Sequence, residues 1–408
     1  MSNRIIYTNI SKLYSMEGGI RAGKALEECA IYEDAYMICE DDKIVETGEM
    51  KDLQLHDEKI VDLEGKIVIP GLVDAHSHLV FGGDRVNEYT MKIKGASYMD
   101  IYHAGGGIHA TVRATRKASF DELYDKAEKT VYEFLKCGVT TLEAKSGYGL
   151  NKEDELKQLR VVQKLNINTP MDLISTFMPA HALYKDYQSA QEYFDLIISE
   201  VLPVVVKENL AEYMDCFLEK GVFDANESRY ILEAGKKAGL KIKIHVDEME
   251  DIGGVDVGVD LHATSLEHCM VTSLENMDKM KAAGITAVIL PATSFNLGKA
   301  YANVPAMKEK GVILALSCDY NPGSCPCSDP LWMARIASRG CHLTPHEVLS
   351  MMTINSAKAL DRDHLIGSLE KGKQADFVVI NATCFDEVIA HLGANPIHSV
   401  YKKGIKVC

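Results

Sequence analysis

Eight short apolar runs alternate with stretches of helical periodicity through the middle of this chain, and no other feature constrains its fold as strongly. The runs lie at residues 71–75, 139–144, 172–178, 212–217, 241–246, 263–267, 286–290 and 312–317. Helical stretches at 121–136, 152–165, 190–206, 227–238, 273–283, 302–310 and 345–360 fall between or after them. In one of these, Leu156, Leu159, Val162 and Leu165 recur at the spacing that lines one helical face. Strands separated by helices pair in parallel, and eight such units are the number that closes a barrel. The pattern therefore predicts an α/β fold, a (β/α)8 TIM barrel. Periodicity does not report closure, so an open doubly wound sheet is the competing arrangement.

Two β-rich pieces bracket this middle. The first has strand-like runs at 4–9, 35–40, 43–47 and 59–62, with Asp41 and Asp42 placed to turn a hairpin. The last has runs at 375–381 and 399–407, with Gly372 and Gly404 as turn residues. Neither piece is large enough to hold a core alone. Both chain ends are expected to build one small composite β-sandwich, from 1–65 and 366–408, around a barrel at 66–365.

Composition narrows the partners. The 44 basic and 59 acidic residues leave a formal net charge of −15, which repels phosphate backbones and argues against nucleic acid. No apolar run approaches the roughly 18 residues of a membrane helix, and the opening segment lacks a signal-like stretch. The eleven cysteines are scattered and odd in number, so reduced thiols in a cytoplasmic protein are expected. Cys325 and Cys327 have no second pair at zinc-finger spacing and read as structural.

The residues suited to chemistry cluster at the ends of the runs. Asp74-Ala-His76-Ser-His78 closes the first, and positions i and i+2 of a strand share a face. Alone, such a triplet is more readily a hydrogen-bonded pair of loop histidines. Yet His181 follows the third run, His245 lies in the fifth, His268 follows the sixth and Asp319 follows the eighth. Barrel active sites are built at that end of the strands. His76, His78, His245 and Asp319 offer nitrogen and oxygen donors that suit zinc, iron or manganese and leave a position open for hydrolytic chemistry. Glu248, three residues past His245, could move protons, or be an ordinary acid in an acidic run. His268 could polarise a carbonyl or support another ligand. Arg85, in FGGDR, could grip a substrate carboxylate. Asn321, Gly323 and Ser324 could present polar groups to a substrate or form a plain Pro-Gly turn. Lys145 and Lys220 lie near strand ends, where a modified lysine bridging two metals is conceivable.

These segments resemble the amidohydrolase superfamily and, within it, the imidazolonepropionase family. The likeness runs through VIPGLVDAHSHLVFGGDR, GASYMDIYHAGGGIHATVRATRKAS, TTLEAKSGYGL, MPAHA, HVDEM, SLEHC, LPATSFNLGK, SCDYNPGSCP and GSLEKGKQADFVV. The histidines and Asp319 mark only the superfamily; GGDR, AGGGI with TVRATR, KSGYGL and DYNPGS are specific to the family. The resemblance implies one zinc or iron ion on His76, His78, His245 and Asp319. It implies Glu248 and His268 as the catalytic pair, with Arg85, Tyr148, His181, Glu248, Asn321, Gly323 and Ser324 contacting substrate or product. It further implies hydrolysis of 4-imidazolone-5-propanoate to N-formimidoyl-L-glutamate, usually by a homodimer. A heterocycle deaminase or another cyclic amide hydrolase of the superfamily shares most of these residues. A barrel that kept the fold and lost activity is the reading from another class.

Overall fold

The computed structural model describes residues 4–54, 59–96 and 98–408. Residues 1–3 and 55–58 of the first β piece, and Ser97 of the GASYMD stretch, lie outside the described residues. All eight runs are strands: Leu72–Asp74, Val139–Lys145, Asp172–Ala180, Tyr213–Leu218, Lys241–Val246, Ser265–His268, Thr286–Ile289 and Ile313–Leu316. They are called barrel strands one to eight. Each pairs in parallel with the next in strict chain order.

That order decides between barrel and open sheet. A doubly wound sheet reverses direction partway, whereas here the first and eighth strands meet. The Asp319 amide donates to the His76 carbonyl at 3.1 Å and the His78 amide to the Tyr320 carbonyl at 2.8 Å. Asp74 adds its carboxylate to the Cys318 amide at 2.9 Å. The seam is closed by the segments that carry the candidate metal ligands.

Side chains alternate across each barrel strand, as the pleat requires. In strand five, Ile242 and Ile244 join the large core between barrel and helices, while Lys243 and His245 point to the barrel axis beside residues of other strands. The axis is filled in layers. Val73, Ile174, Tyr213, Val288 and Ala315 form an apolar floor, closed by Ala357, Ala359 and Leu360. Charged side chains lie above it and histidines above those. The outer helices start where the sequence caps them: Ser119, Asp224 and Thr344 each form a reciprocal capping box.

The chain ends form one sheet of seven strands. In spatial order these are Ile405–Lys406, Ile397–Lys402, Phe377–Ile380, Lys59–Pro70, Arg4–Tyr14, Ile31–Glu40 and Lys43–Glu49. Its two edges turn toward each other. The Ala375 amide donates to Asp42 at 2.8 Å and the Gly404 amide to Ala375 at 2.8 Å, which brings the two hairpin turns together. Tyr7, Met37, Val68, Phe377 and Tyr401 share the enclosed core. The strand Lys59–Pro70 stays in this sheet to Pro70, beyond the expected division at 65/66, and Ile67 and Ile69 on its other face pack on the barrel. No helix among the described residues is long and apolar enough to cross a membrane.

Candidate metal centre and active site

A layer of buried charges beneath the histidines aims them. Glu143, Lys145, Asp215, Lys243 and Glu267 are all fully buried. Lys145 Nζ lies 3.0 Å from Glu143 Oε1 and 2.7 Å from Asp215 Oδ2. Lys243 Nζ lies 2.8 Å from Glu143 Oε2 and 3.4 Å from Glu267 Oε1, and donates to the Ala75 carbonyl at 2.8 Å. Burial alone would push the Lys145 pKa down; Asp215, Glu143 and Glu267 outweigh it and hold the ammonium above the ordinary lysine value. Three carboxylates against two ammonium groups leave this layer one negative charge in excess.

Two of these carboxylates orient histidines. His76 Nδ1 is 2.5 Å from Glu267 Oε2, and His245 Nδ1 is 3.0 Å from Asp215 Oδ2. A ring held at Nδ1 presents Nε2 on its far side. His76 Nε2 and His245 Nε2 are indeed buried, and neither has a hydrogen-bond partner among the described residues. Burial of such atoms without a partner is costly, so something outside the protein is expected to satisfy them. His76 Nε2 lies 3.4 Å from Asp319 Oδ1, and His78 Nε2 lies 3.8 Å from the same oxygen. Burial, then neighbouring cationic groups, pushes the pKa of His76 and His78 far down, which keeps their lone pairs free for a cation.

Ligand atoms come within reach of one ion in overlapping sets: His76 with His78 and Asp319, and His76 with His245 and His268. A third set, His76 with Glu143 and Glu267, belongs to the charged layer, whose carboxylates are already held by lysines. The donor atoms fit a divalent ion: neutral imidazoles, one carboxylate and an excess of negative charge beneath them. Asp319 is itself fixed, accepting from Thr293 Oγ1 at 2.6 Å and Asn321 Nδ2 at 3.1 Å. Both His268 and Asp319 have positive φ, 70° and 54°, a backbone cost that concentrates at functional sites.

The remaining candidates ring this centre. Glu248 Oε2 is 3.8 Å from His268 Nε2, and Lys299 Nζ is 3.8 Å from Glu248 Oε1. His181 stacks on His78 with centroids 4.8 Å apart, and Tyr148 sits 5.1 Å from His181 and 5.7 Å from His78. Burial and then His245 lower the His181 pKa to about 3, so that ring is neutral at ordinary pH. The loop bearing Tyr148 hangs on the next helix: Glu155 accepts from the Gly147, Gly149 and Leu150 amides and Gln158 from the Tyr148 amide. Asn321 ties the last loop together, accepting from the Gly323 and Ser324 amides and donating to Ser324 Oγ. Arg85 reaches Gly323, where an added Cβ would come within 1.9 Å of Arg85 Nη1.

Two sequence expectations are refined. Arg85 does not stand alone: its Nε and Nη2 fork onto Glu88 at 2.9 and 2.8 Å. Lys145 is locked between carboxylates, and Lys220 pairs with Glu250 at the surface, both exposed, so neither is placed as a metal-bridging lysine. All eleven cysteines are free, and Cys327 Sγ contacts the Asp329 carbonyl.

Sequence reasoning missed Glu143, Asp215, Lys243 and Glu267. Their signal was available: each is a charge at an inward position of an otherwise apolar strand, as in TTLEAK and KIKIHV. Glu143 joins the two halves of the layer, so Glu143→Gln is expected to loosen both oriented histidines. A 10- to 100-fold weaker hold on zinc, roughly the effect of losing such supporting partners, should appear in competition with a chromogenic chelator. An unchanged affinity would contradict the orienting role.

A model of the amidohydrolase family matches residues 219–406. An imidazolonepropionase of Alkaliphilus metalliredigens is 46% identical over 409 aligned residues, covering 98% of this chain and 97% of its own. One of Streptococcus gordonii is 47% identical, covering 94% and 92%. One of Fusobacterium nucleatum is 43% identical, covering 99% and 98%. Among solved structures, E. coli guanine deaminase superposes with a TM-score of 0.77 at 16% identity, covering 100% of this chain and 99% of its own. An adenosine deaminase of Xanthomonas campestris with bound zinc gives 0.74 at 15% identity, covering 98% and 92%. At those identities the deaminases speak for the fold alone.

Proposed function

We infer what the site does from one premise: this chain belongs to the imidazolonepropionase family of amidohydrolases, hydrolases that open a carbon–nitrogen bond of a cyclic amide. We propose that His76, His78, His245 and Asp319 hold a single zinc or iron ion, and that the substrate is 4-imidazolone-5-propanoate. The observation that carries this reading is a pair of buried nitrogens, His76 Nε2 and His245 Nε2, without a hydrogen-bond partner among the described residues, with His76 shared by two candidate ligand sets, one with His78 and Asp319 and the other with His245 and His268. When bound, the ion supplies Lewis acidity and lowers the pKa of a coordinated water toward about 7.

The chain's own groups do the rest. Water adds its oxygen to the ring carbonyl carbon, the ring carbon–nitrogen bond breaks, and the nitrogen leaves with a proton. Glu248 takes the proton from the water and hands it to that nitrogen, standing beside His268 at 3.8 Å. His268 donates to the carbonyl oxygen as negative charge gathers there, a stabilisation of about 3 kcal/mol for a well-placed donor. Tyr148 and His181, packed on His78, grip the ring. Arg85 and the turn of Asn321, Gly323 and Ser324 face the propanoate. The proposal extends to a homodimer in the cytoplasm, with no nucleic-acid or membrane partner.

The test supplies freshly made imidazolone propanoate and follows N-formimidoyl-L-glutamate by mass, before and after chelation. Product formation that stops on chelation and returns with zinc or iron is the expected result. Ammonia release without formimidoylglutamate would make the protein a deaminase. Fewer than about 0.2 ions per chain in protein prepared without chelator, far below the one ion such a site holds, would favour an inactive barrel.

A further inference from the structure

Recognition of a carboxylate at this site, which rests on the substrate reading above, depends on how Arg85 is partnered. Arg85 and Glu88 form a two-pronged ion pair, with side chains only 16% and 7% exposed. Glu88 Oε1 is further fixed by the Gly107 amide at 2.8 Å. A pair of this geometry is close to neutral, and its guanidinium has two of its three nitrogens engaged. Delivering a propanoate to it alone would bring one unbalanced negative charge into a partly desolvated pocket, which is unfavourable.

A second cation stands beside it. Lys92 is on the helix Val86–Ile93, about one turn beyond Glu88, and is half-buried. Its Nζ donates to the Gly323 carbonyl at 3.2 Å. Arg85 Nη1 packs against the Cα of the same glycine, at the spot where a Cβ would sit. The two cations therefore converge on Gly323, within the turn that Asn321 ties to Asp319. We propose that Lys92 is a specificity-determining residue, which with Arg85 forms a two-cation subsite for the substrate carboxylate. Arg85, Lys92 and Glu88 together carry one positive charge, which matches one carboxylate. The glycine is required there because any side chain would displace the guanidinium.

The decisive measurement is calorimetric binding of an unreactive probe, imidazole-4-propanoate, to the zinc-loaded protein, with uncharged 4-propylimidazole as its partner. Lys92→Met is expected to weaken the propanoate by about 10- to 100-fold, the weight of a hydrogen bond to a charged group, and to leave propylimidazole within twofold. Lys92→Arg should recover most of the loss. Lys94→Met, an exposed neighbour on the same segment, should change neither. In turnover, Lys92→Met should raise KM by the same factor with kcat nearly unchanged. Equal affinity of wild type and Lys92→Met for the propanoate, or an equal loss for both probes, would overturn the proposal. Failure of the underlying reading shows separately, as wild-type protein that forms no formimidoylglutamate.

Discussion

Asp319→Asn is expected to leave a folded protein that neither retains zinc nor hydrolyses its substrate. The substitution keeps the volume of the side chain and removes its charge. Thr293 Oγ1 and Asn321 Nδ2 both donate to the carboxylate, and an amide can accept only on its oxygen. The amide can keep its oxygen toward Asn321 Nδ2 and donate its own nitrogen to Thr293 Oγ1, which accepts as well as donates, so only the hydroxyl proton loses its partner, at a cost of about 1 kcal/mol. The larger consequence is at the metal centre, where His76 Nε2 and His78 Nε2 both lie within 4 Å of Asp319 Oδ1. Without the carboxylate the set loses its anionic donor and the charge that balances a dication. Metal content should fall below about 0.2 per chain, and kcat/KM by at least about 10⁴-fold, because the reaction loses its activated water at neutral pH. Metal analysis and product formation on the same preparation check both. Full occupancy with full activity would remove Asp319 from the ligand set.

The fold was legible because barrel building leaves a strong one-dimensional trace. Strand five, at Lys241–Val246, matches the expected run at both ends, since charged Lys241 and the acidic stretch after Val246 bound it sharply. Strand one is harder to delimit: Leu72–Asp74 is three residues long, and the seam beyond it is held by His76 and His78 backbone rather than by a regular ladder. Closure itself had no local signal, because it depends on Asp319 meeting His76 across more than two hundred residues. The composite β domain was legible in its pieces but not in its extent. Ile67, Val68 and Ile69 serve the sheet on one face and the barrel on the other, and no composition change marks a strand that belongs to both.

The site divides in the same way. His76, His78, His245 and Asp319 stand out because histidine and aspartate at strand ends are conspicuous residue types. Glu143 and Lys243 were hidden by the habit of reading a strand as apolar. The helices Val86–Ile93 and Ile108–Lys117 were absent from the sequence reading because the glycines around them mask their periodicity. With the first of them went the Arg85–Glu88 pair and Lys92. Recognition of charge by charge depends on which partner each ion already has, and that is a property of three dimensions.

Glu248→Gln should separate proton transfer from metal binding. The residue lies three positions past His245 on the segment that leaves strand five, 14% exposed, with His268 Nε2 and Lys299 Nζ each 3.8 Å from its carboxylate. Those contacts are long and leave the carboxylate able to approach a bound ring. Glutamine has nearly the same shape and can still accept a hydrogen bond, but it cannot take up a proton from water and release it to a leaving nitrogen. Loss of a positioned acid–base group typically costs about 10²- to 10⁴-fold in rate. The expected result is a fall of kcat in that range, with zinc occupancy and the affinity for imidazole-4-propanoate unchanged. Glu248→Asp should recover part of the rate, because it restores a titrating carboxylate at a shorter reach. A variant that loses its metal would instead make Glu248 a ligand or its support. A variant with wild-type kcat would mean the proton travels by another group, with His268 next in reach.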